Sequence, residues 1–371
     1  MNAVRKTIAV LAGDGIGPEV VGSAISILRE CAASFGHRFE FVELPFGGAA
    51  IDRCGEPLPA ETLEACKNAD AVLLGAVGGP RWDSQPLARR PEAGLLTLRK
   101  ELGLYINVRP VRLFEPLKDI SPLRLEDASA VDLEIVRELA GGIYFGPRQS
   151  GGSNGSETAS DTEIYSAKEI ERVALYAFRR AAARRGHLAS IDKANVLASS
   201  ALWRKTVHRL AEGFPEVTLN SLYVDNAALQ LVIRPAQFDV MLTSNIFGDI
   251  LSDEAAALVG SIGLIPSMSL GNGTALYEPI HGSAPQLAGK DSANPIGTIL
   301  CAAMMLRESF GLPAAATTIE RAVAQTLGDG FRTPDIAEAG TKQVGCAEMT
   351  SRIRQAFVES HAEAEHYGWG V

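Results

Sequence analysis

Asp249 and Asp253 lie one helical turn apart in Asn245-Ile246-Phe247-Gly248-Asp249-Ile250-Leu251-Ser252-Asp253. In a helix this spacing puts both carboxylates on one face. Like charges so placed repel unless a cation sits between them, and Mg2+ takes one or two carboxylates together with substrate oxygens and water. The same pair also suits acids at a helix N-terminus, favoured by the macrodipole. Asp225, after Leu222-Tyr223-Val224, is a candidate third ligand. Arg99, Arg109 and Arg137 stand in apolar contexts. Guanidinium forks grip carboxylates bidentately, so three of them point to a dicarboxylate, although each alone suits a structural ion pair. Lys193 opens the strand expected at Ala194 to Leu197. There it serves proton transfer with a shifted pKa, or simply pairs a strand-end charge. Tyr144 is flanked by Gly141, Gly142 and Gly146, which let a ligand approach, although a purely structural tyrosine suits the same place, and His281 lies in the turn-rich Glu278-Pro279-Ile280-His281-Gly282-Ser283-Ala284-Pro285.

Alternating elements must position these groups. Ile8 to Leu11, Arg38 to Leu44, Ala71 to Leu74, Leu133 to Val136, Ala194 to Leu197, Leu219 to Val224 and Val240 to Thr243 read as strands. Helices are expected at Pro18 to Phe35, Ala167 to Arg185, Ser200 to Glu212 and Gly248 to Leu258. In the first of these Val21, Ile25, Leu28, Ala32 and Phe35 recur at helical spacing behind a proline. Strands separated by helices predict an α/β fold with a largely parallel sheet. The Gly- and Ser-rich stretch from Pro147 to Asp161 predicts a loop or arm, and Gly260 to Gly273 an interdomain crossing.

Gly13-Asp14-Gly15-Ile16-Gly17-Pro18 joins a strand to a helix but departs from the Rossmann fingerprint G-x-G-x-x-G. The third glycine would fall at Pro18, so the close helix–strand packing it permits is not expected. A tight turn, or a Gly-rich loop meeting a cofactor by another geometry, is what remains.

Composition sets outer bounds. The chain has 371 residues and a net charge of −9, which disfavours nucleic acid and anionic membranes as partners. Cys31, Cys54, Cys66, Cys301 and Cys346 are scattered, with no Cys-x-x-Cys pair, so a disulfide framework or zinc site is not expected and a reducing cytoplasm fits. No signal-peptide layout precedes the first strand. The longest apolar stretch, around Ile296 to Leu306, is too short to span a bilayer and reads as a buried helix.

Gly13 to Glu19, Val136-Arg137-Glu138 through Gly146, Asp192 to Leu197, Asn245 to Asp253, and His281 to Pro285 occur in the order found in one family. Over essentially the whole chain the sequence resembles the isopropylmalate/isocitrate dehydrogenase family. The resemblance implies a two-lobed α/β fold with a mixed, largely parallel sheet, distinct from a standard Rossmann fold. It implies a cofactor-binding lobe of residues 1–104 and 260–371, and a substrate, metal and dimerisation lobe of residues 105–259. The implied activity is NAD-dependent, metal-dependent oxidative decarboxylation of a 2-hydroxy dicarboxylic acid. (2R,3S)-3-isopropylmalate is the leading substrate and 4-methyl-2-oxopentanoate, in leucine biosynthesis, the product.

Roles follow by position. Arg99, Arg109 and Arg137 would bind substrate carboxylates. Asp249 and Asp253 would hold Mg2+ or Mn2+, with Asp225 from the other subunit of a homodimer also touching substrate. Lys193, again from the other subunit, would help remove the hydroxyl proton, and Tyr144 would serve proton transfer after CO2 leaves. Glu92, Asn195, Glu278, His281, Gly282, Ser283, Ala284, Gln286, Ala293 and Asn294 would line the cofactor. Isocitrate enzymes of the family carry serine and asparagine where this chain has Ala93 and Leu95. An apolar Leu95 suits an isopropyl group, and a third carboxylate buried against it would be costly. Tartrate, 3-methylmalate and homoisocitrate remain alternatives. NAD-using members usually have aspartate where this chain has Gln286, and NADP-using isocitrate enzymes have lysine then tyrosine where it has Gln286 and Leu287, so neither signature is intact. Non-catalytic regulatory relatives typically lose metal or base residues, all of which are present here.

Overall fold

The computed structural model describes residues 3–153 and 155–367. The chain begins β1 (Arg5–Gly13), α1 (Gly17–Phe35), β2 (Arg38–Glu43), α2 (Gly47–Cys54), α3 (Ala60–Asn68), β3 (Ala71–Ala76), α4 (Pro91–Glu101). It continues β4 (Leu104–Arg112), β5 (Asp132–Glu138), β6 (Arg148–Gly151), β7 (Thr158–Asp161), α5 (Ala167–Ala182), β8 (His187–Asp192), α6 (Ala198–Ala211). Next come β9 (Thr218–Tyr223), α7 (Val224–Ile233), β10 (Val240–Thr243), α8 (Asn245–Ala257), β11 (Pro266–Gly271) and β12 (Leu276–Pro279). The last elements are α9 (Ile296–Glu308), α10 (Pro313–Gly328), β13 (Phe331–Arg332), β14 (Lys342–Gln343) and α11 (Cys346–Tyr367).

Two compact units emerge. Unit 1 comprises Met1–Gly103, Leu113–Ala128 and Val259–Val371; unit 2 comprises Leu104–Arg112 and Ser129–Leu258. In unit 1 the strands run β2-β1-β3-β12-β11, parallel except for the antiparallel β11–β12 pair. In unit 2 they run β4-β5-β10-β8-β9, parallel except for β4–β5. Both are α/β with a mixed, largely parallel sheet. The β3 strand is buried along its whole length, as expected of a strand covered on both faces. The expected buried helix is α9, apolar and buried from Ile296 to Leu306.

Three local expectations need correction. The strand placed at Ala194 to Leu197 lies earlier, as β8, and residues 194–196 form a turn. The Asp192 carboxylate accepts the Ala194 N–H at 2.9 Å and bends the chain there, leaving Val196 69% exposed. Lys193 therefore follows a strand rather than opening one. Second, the chain passes from unit 2 to unit 1 between Leu258 and Val259, just before the stretch expected to cross; Gly260 to Gly273 itself is mostly β11 and a short 3-10 turn at Ile262–Leu264, because Pro266 to Ser269 are buried in the sheet. Third, close helix–strand packing after β1 does occur. It uses Gly17, one residue before Pro18: a Cβ there would stand 2.1 Å from the Ala12 carbonyl oxygen. The segment from Pro147 to Asp161 is an arm, its β6 and β7 strands paired antiparallel.

Candidate active site

The β4–β5 register sets Asn107 opposite Arg137, with Arg109 two residues further along the same face. Next to β5 runs β10, and α8 springs from its end. At Gly248 this helix touches β5 so closely that a Cβ would stand 2.7 Å from Arg137 Cβ. The α8 face carrying Asn245, Asp249, Ser252 and Asp253 thus meets both arginines.

Arg137 is buried and donates from Nε and Nη2 to Asn245 Oδ1 (3.0 and 2.7 Å) and from Nη1 to Asp249. Arg109 is buried too, its Nε bonded to Asn107 Oδ1 (2.8 Å) and its Nη1 to Ser252 Oγ (2.6 Å). It approaches Asp249 at 3.6 Å and Asp253 at 3.7 Å. The Tyr144 hydroxyl donates to Asp249 Oδ2 at 2.8 Å. Burial pushes the Asp249 carboxyl up, but Arg137 and Arg109 overcome this and hold it below its ordinary range. Burial raises Asp253, with the Asp249 charge adding to it. Burial and then the hydrogen bond to Asp249 raise Tyr144.

Two cations thus face two anions, with the aspartates at the open side: their side chains are 39% and 62% exposed. A divalent cation and a dianionic substrate together leave this balance unchanged. Two hard oxygen donors one turn apart fit Mg2+ or Mn2+. Among the described residues of one chain, no group of three His, Cys, Asp or Glu side chains is placed to hold a metal. Asp225, in the first turn of α7, instead accepts from Lys193 Nζ at 2.6 Å, which lowers its pKa. Asn195 lies exposed in the turn after β8.

The other sequence candidates lie in unit 1. Arg99 on α4 pairs with Glu278 at the end of β12, so the arginine's charge is already matched within the unit. Leu95 is half-buried on the same helix, and Glu92 is exposed in its first turn. In the loop after β12, His281 Nδ1 lies 2.9 Å from the Gly282 carbonyl, and its buried Nε2 has no hydrogen-bond partner. An orphaned imidazole nitrogen suits a ligand with a donor or acceptor edge. Ser283 and Ala293 are buried, and Ala293 packs with Ile16 and Val20 against Ala284 and Leu287. Asn294 donates to Asp335 Oδ2 at 3.0 Å, while Gly282 and Gln286 face solvent.

Sequence reasoning passed over several of the groups that hold these residues. Asn245 and Ser252 seat the two arginines, and the helical spacing 245, 249, 252, 253 was the available signal. Asp335 also accepts from Thr333 Oγ1 (2.6 Å) and Ser261 Oγ, and no local pattern links it to Asn294.

Residues 7–353 match the family described as isocitrate/isopropylmalate dehydrogenase. The chain is 56% identical over 353 residues to the 3-isopropylmalate dehydrogenase of Moorella thermoacetica, covering 95% of this chain and 99% of the relative. It is 52% identical over 362 residues to that of Bacillus licheniformis, with 97% and 98% covered. Among solved structures, isocitrate dehydrogenase from Methylococcus capsulatus is similar with a TM-score of 0.85 at 34% identity, over 95% of this chain and 99% of that one.

Proposed function

From the premise that the chain belongs to the isocitrate/isopropylmalate dehydrogenase family, we propose that it oxidises and decarboxylates (2R,3S)-3-isopropylmalate to 4-methyl-2-oxopentanoate with reduction of NAD, in leucine biosynthesis. The observation that carries this reading is the convergence of Arg109, Arg137 and Tyr144 on Asp249, with Asp253 one turn away. Names of relatives more than half identical over nearly the whole chain support the same substrate. Unit 1 is the cofactor lobe and unit 2 the substrate and metal lobe.

Arg109 and Arg137 grip substrate carboxylates, already fixed by Asn107, Asn245 and Ser252. Asp249 and Asp253, with Asp225 of a second copy, hold Mg2+ or Mn2+. When bound, the cation lowers the pKa of the substrate hydroxyl and supports negative charge on that oxygen. NAD, when bound to unit 1, would supply the hydride acceptor for oxidation at the hydroxyl-bearing carbon. Lys193 of a second copy takes the hydroxyl proton. The carboxylate β to the new ketone departs as CO2, and Tyr144 passes a proton to the carbon it leaves. Arg99 and Leu95 meet the substrate in this proposal, and the segment from Glu278 to Asn294 carries the adenosine end of NAD.

A homodimer is part of the proposal. Leu229, Val232 and Ile233 form an exposed apolar stripe on α7, and Ile250 on the adjoining α8 is 59% exposed. Contiguous exposed apolar surface marks an interface. No described helix is long and apolar enough to cross a membrane, and a cytoplasmic location suits the chemistry. The decisive assay is a panel of 3-isopropylmalate, isocitrate, tartrate, 3-methylmalate and homoisocitrate with NAD or NADP and Mg2+. Fastest turnover of 3-isopropylmalate with NAD is expected; preference for another diacid would replace the substrate named here.

A further inference from the structure

We propose that Asp14 is a positioning residue that sets the cofactor-facing segments of unit 1, holding Glu92 on one side and Ser283 on the other. The inference rests on the reading of those segments as an NAD site. Asp14 follows β1 in the Gly-rich turn and is 3% exposed. Its Oδ2 accepts the N–H of Gly48 (2.9 Å) and of Gly78 (2.8 Å), and its Oδ1 that of Ala49 (2.8 Å). Its own N–H donates to the Ala76 carbonyl at 2.8 Å. Three segments distant in sequence, the turn itself, the start of α2 and the loop after β3, therefore meet at one carboxylate.

Burial pushes the Asp14 carboxyl above its ordinary range, the N–H donors of Gly48, Gly78 and Ala49 pull it back, and the Glu92 charge adds to the rise. A buried anion so placed depends on charge-assisted N–H donors and the first turn of α2. Those donors transmit its position. A Cβ on Gly78, at φ +98°, would stand 2.3 Å from Glu92 Oε1, so the Glu92 carboxylate rests on the backbone that Asp14 holds. On the other side the Ile16 N–H donates to the Ser283 carbonyl at 2.8 Å, and Gly15 fits against the same oxygen. Moving Asp14 displaces both cofactor-facing residues at once. It leaves alone the Arg109 and Arg137 cluster, which meets Asn107, Asn245, Asp249, Ser252 and Asp253 within unit 2.

Asp14→Asn tests this. The amide keeps the size but turns an N–H toward backbone donors. Loss of a charge-assisted bond predicts a Kd for NAD, measured by calorimetry, raised about ten-fold. The KM for NAD should rise in step, while the KM for 3-isopropylmalate stays within about two-fold. Gly78→Ala, which keeps the Asp14 carboxylate but shifts the backbone that it holds against Glu92, should show the same NAD-selective loss, and it decides the matter if the first variant does not fold. NAD affinity unchanged in a folded variant, with only the melting temperature lowered, overturns the inference. A wild-type protein that binds no NAD overturns the cofactor reading itself, and this inference with it.

Discussion

Gln286 faces solvent in the loop that carries His281 and Ser283. In the proposed adenosine site, an aspartate at this position would accept bonds from both ribose hydroxyls and repel the extra phosphate of NADP. Glutamine keeps one acceptor and loses the charge. Gln286→Asp should therefore lower the KM for NAD about ten-fold and depress NADP activity, leaving the KM for the diacid alone. Steady-state kinetics with both dinucleotides reads this directly, and identical cofactor constants in the two proteins would remove Gln286 from the site. His281 makes a prediction in pH. Burial lowers its pKa below the ordinary 6.5, so the unfolded chain takes up a proton before the fold does. The stability this contributes is present above that value and is lost as pH falls through the folded one. The melting temperature should drop between pH 7 and 5, and His281→Gln should flatten the slope; an unchanged slope would show that other groups set it.

The α8 helix acts as a unit. Asn245 at its start receives Arg137, and its amide nitrogen reaches the carbonyls of Leu139 (3.3 Å) and Gly141 (2.9 Å). Asn245→Ala should orphan these buried groups and cost about 2–3 kcal/mol in denaturant unfolding. It should also raise the KM for the diacid, because Arg137 loses its seat. Stability loss with unchanged substrate kinetics would confine Asn245 to structure. One turn on, Asp249→Asn should reduce turnover by about two to three orders of magnitude with little effect on unfolding. EDTA should abolish wild-type turnover and Mg2+ or Mn2+ restore it, whereas full activity in EDTA would exclude the metal role.

For the whole molecule the prediction concerns assembly. Lys193 pairs with Asp225 on its own chain, while the proposed chemistry uses both in a second copy's site. Replacing Leu229 and Ile233 by glutamate should yield an inactive monomer in sedimentation. Mixing inactive Lys193→Ala and Asp249→Asn proteins should regenerate activity, since in the heterodimer one site receives both defects and the other neither. No recovery despite proven subunit exchange would mean that each chain completes its own site.

Periodicity along the chain was enough to locate α1, α5, α6 and most of α8, and the strands β1, β2, β3, β5, β9 and β10, because burial of one face or of a whole strand is written locally as spacing. The residue types also named the chemistry: arginines for carboxylates, and paired aspartates for a cation. β4 escaped that reading because Asn107 and Arg109 are buried on a core strand and break its apolar run. β8 was displaced to the next apolar stretch, which the Asp192 turn leaves exposed. Which partners meet is a further matter. Arg137 and Asn245 lie 108 residues apart, and Asp14 and Gly78 64 apart. Strand order and register bring such pairs together, and these depend on packing between distant segments, so only the tertiary structure decided them.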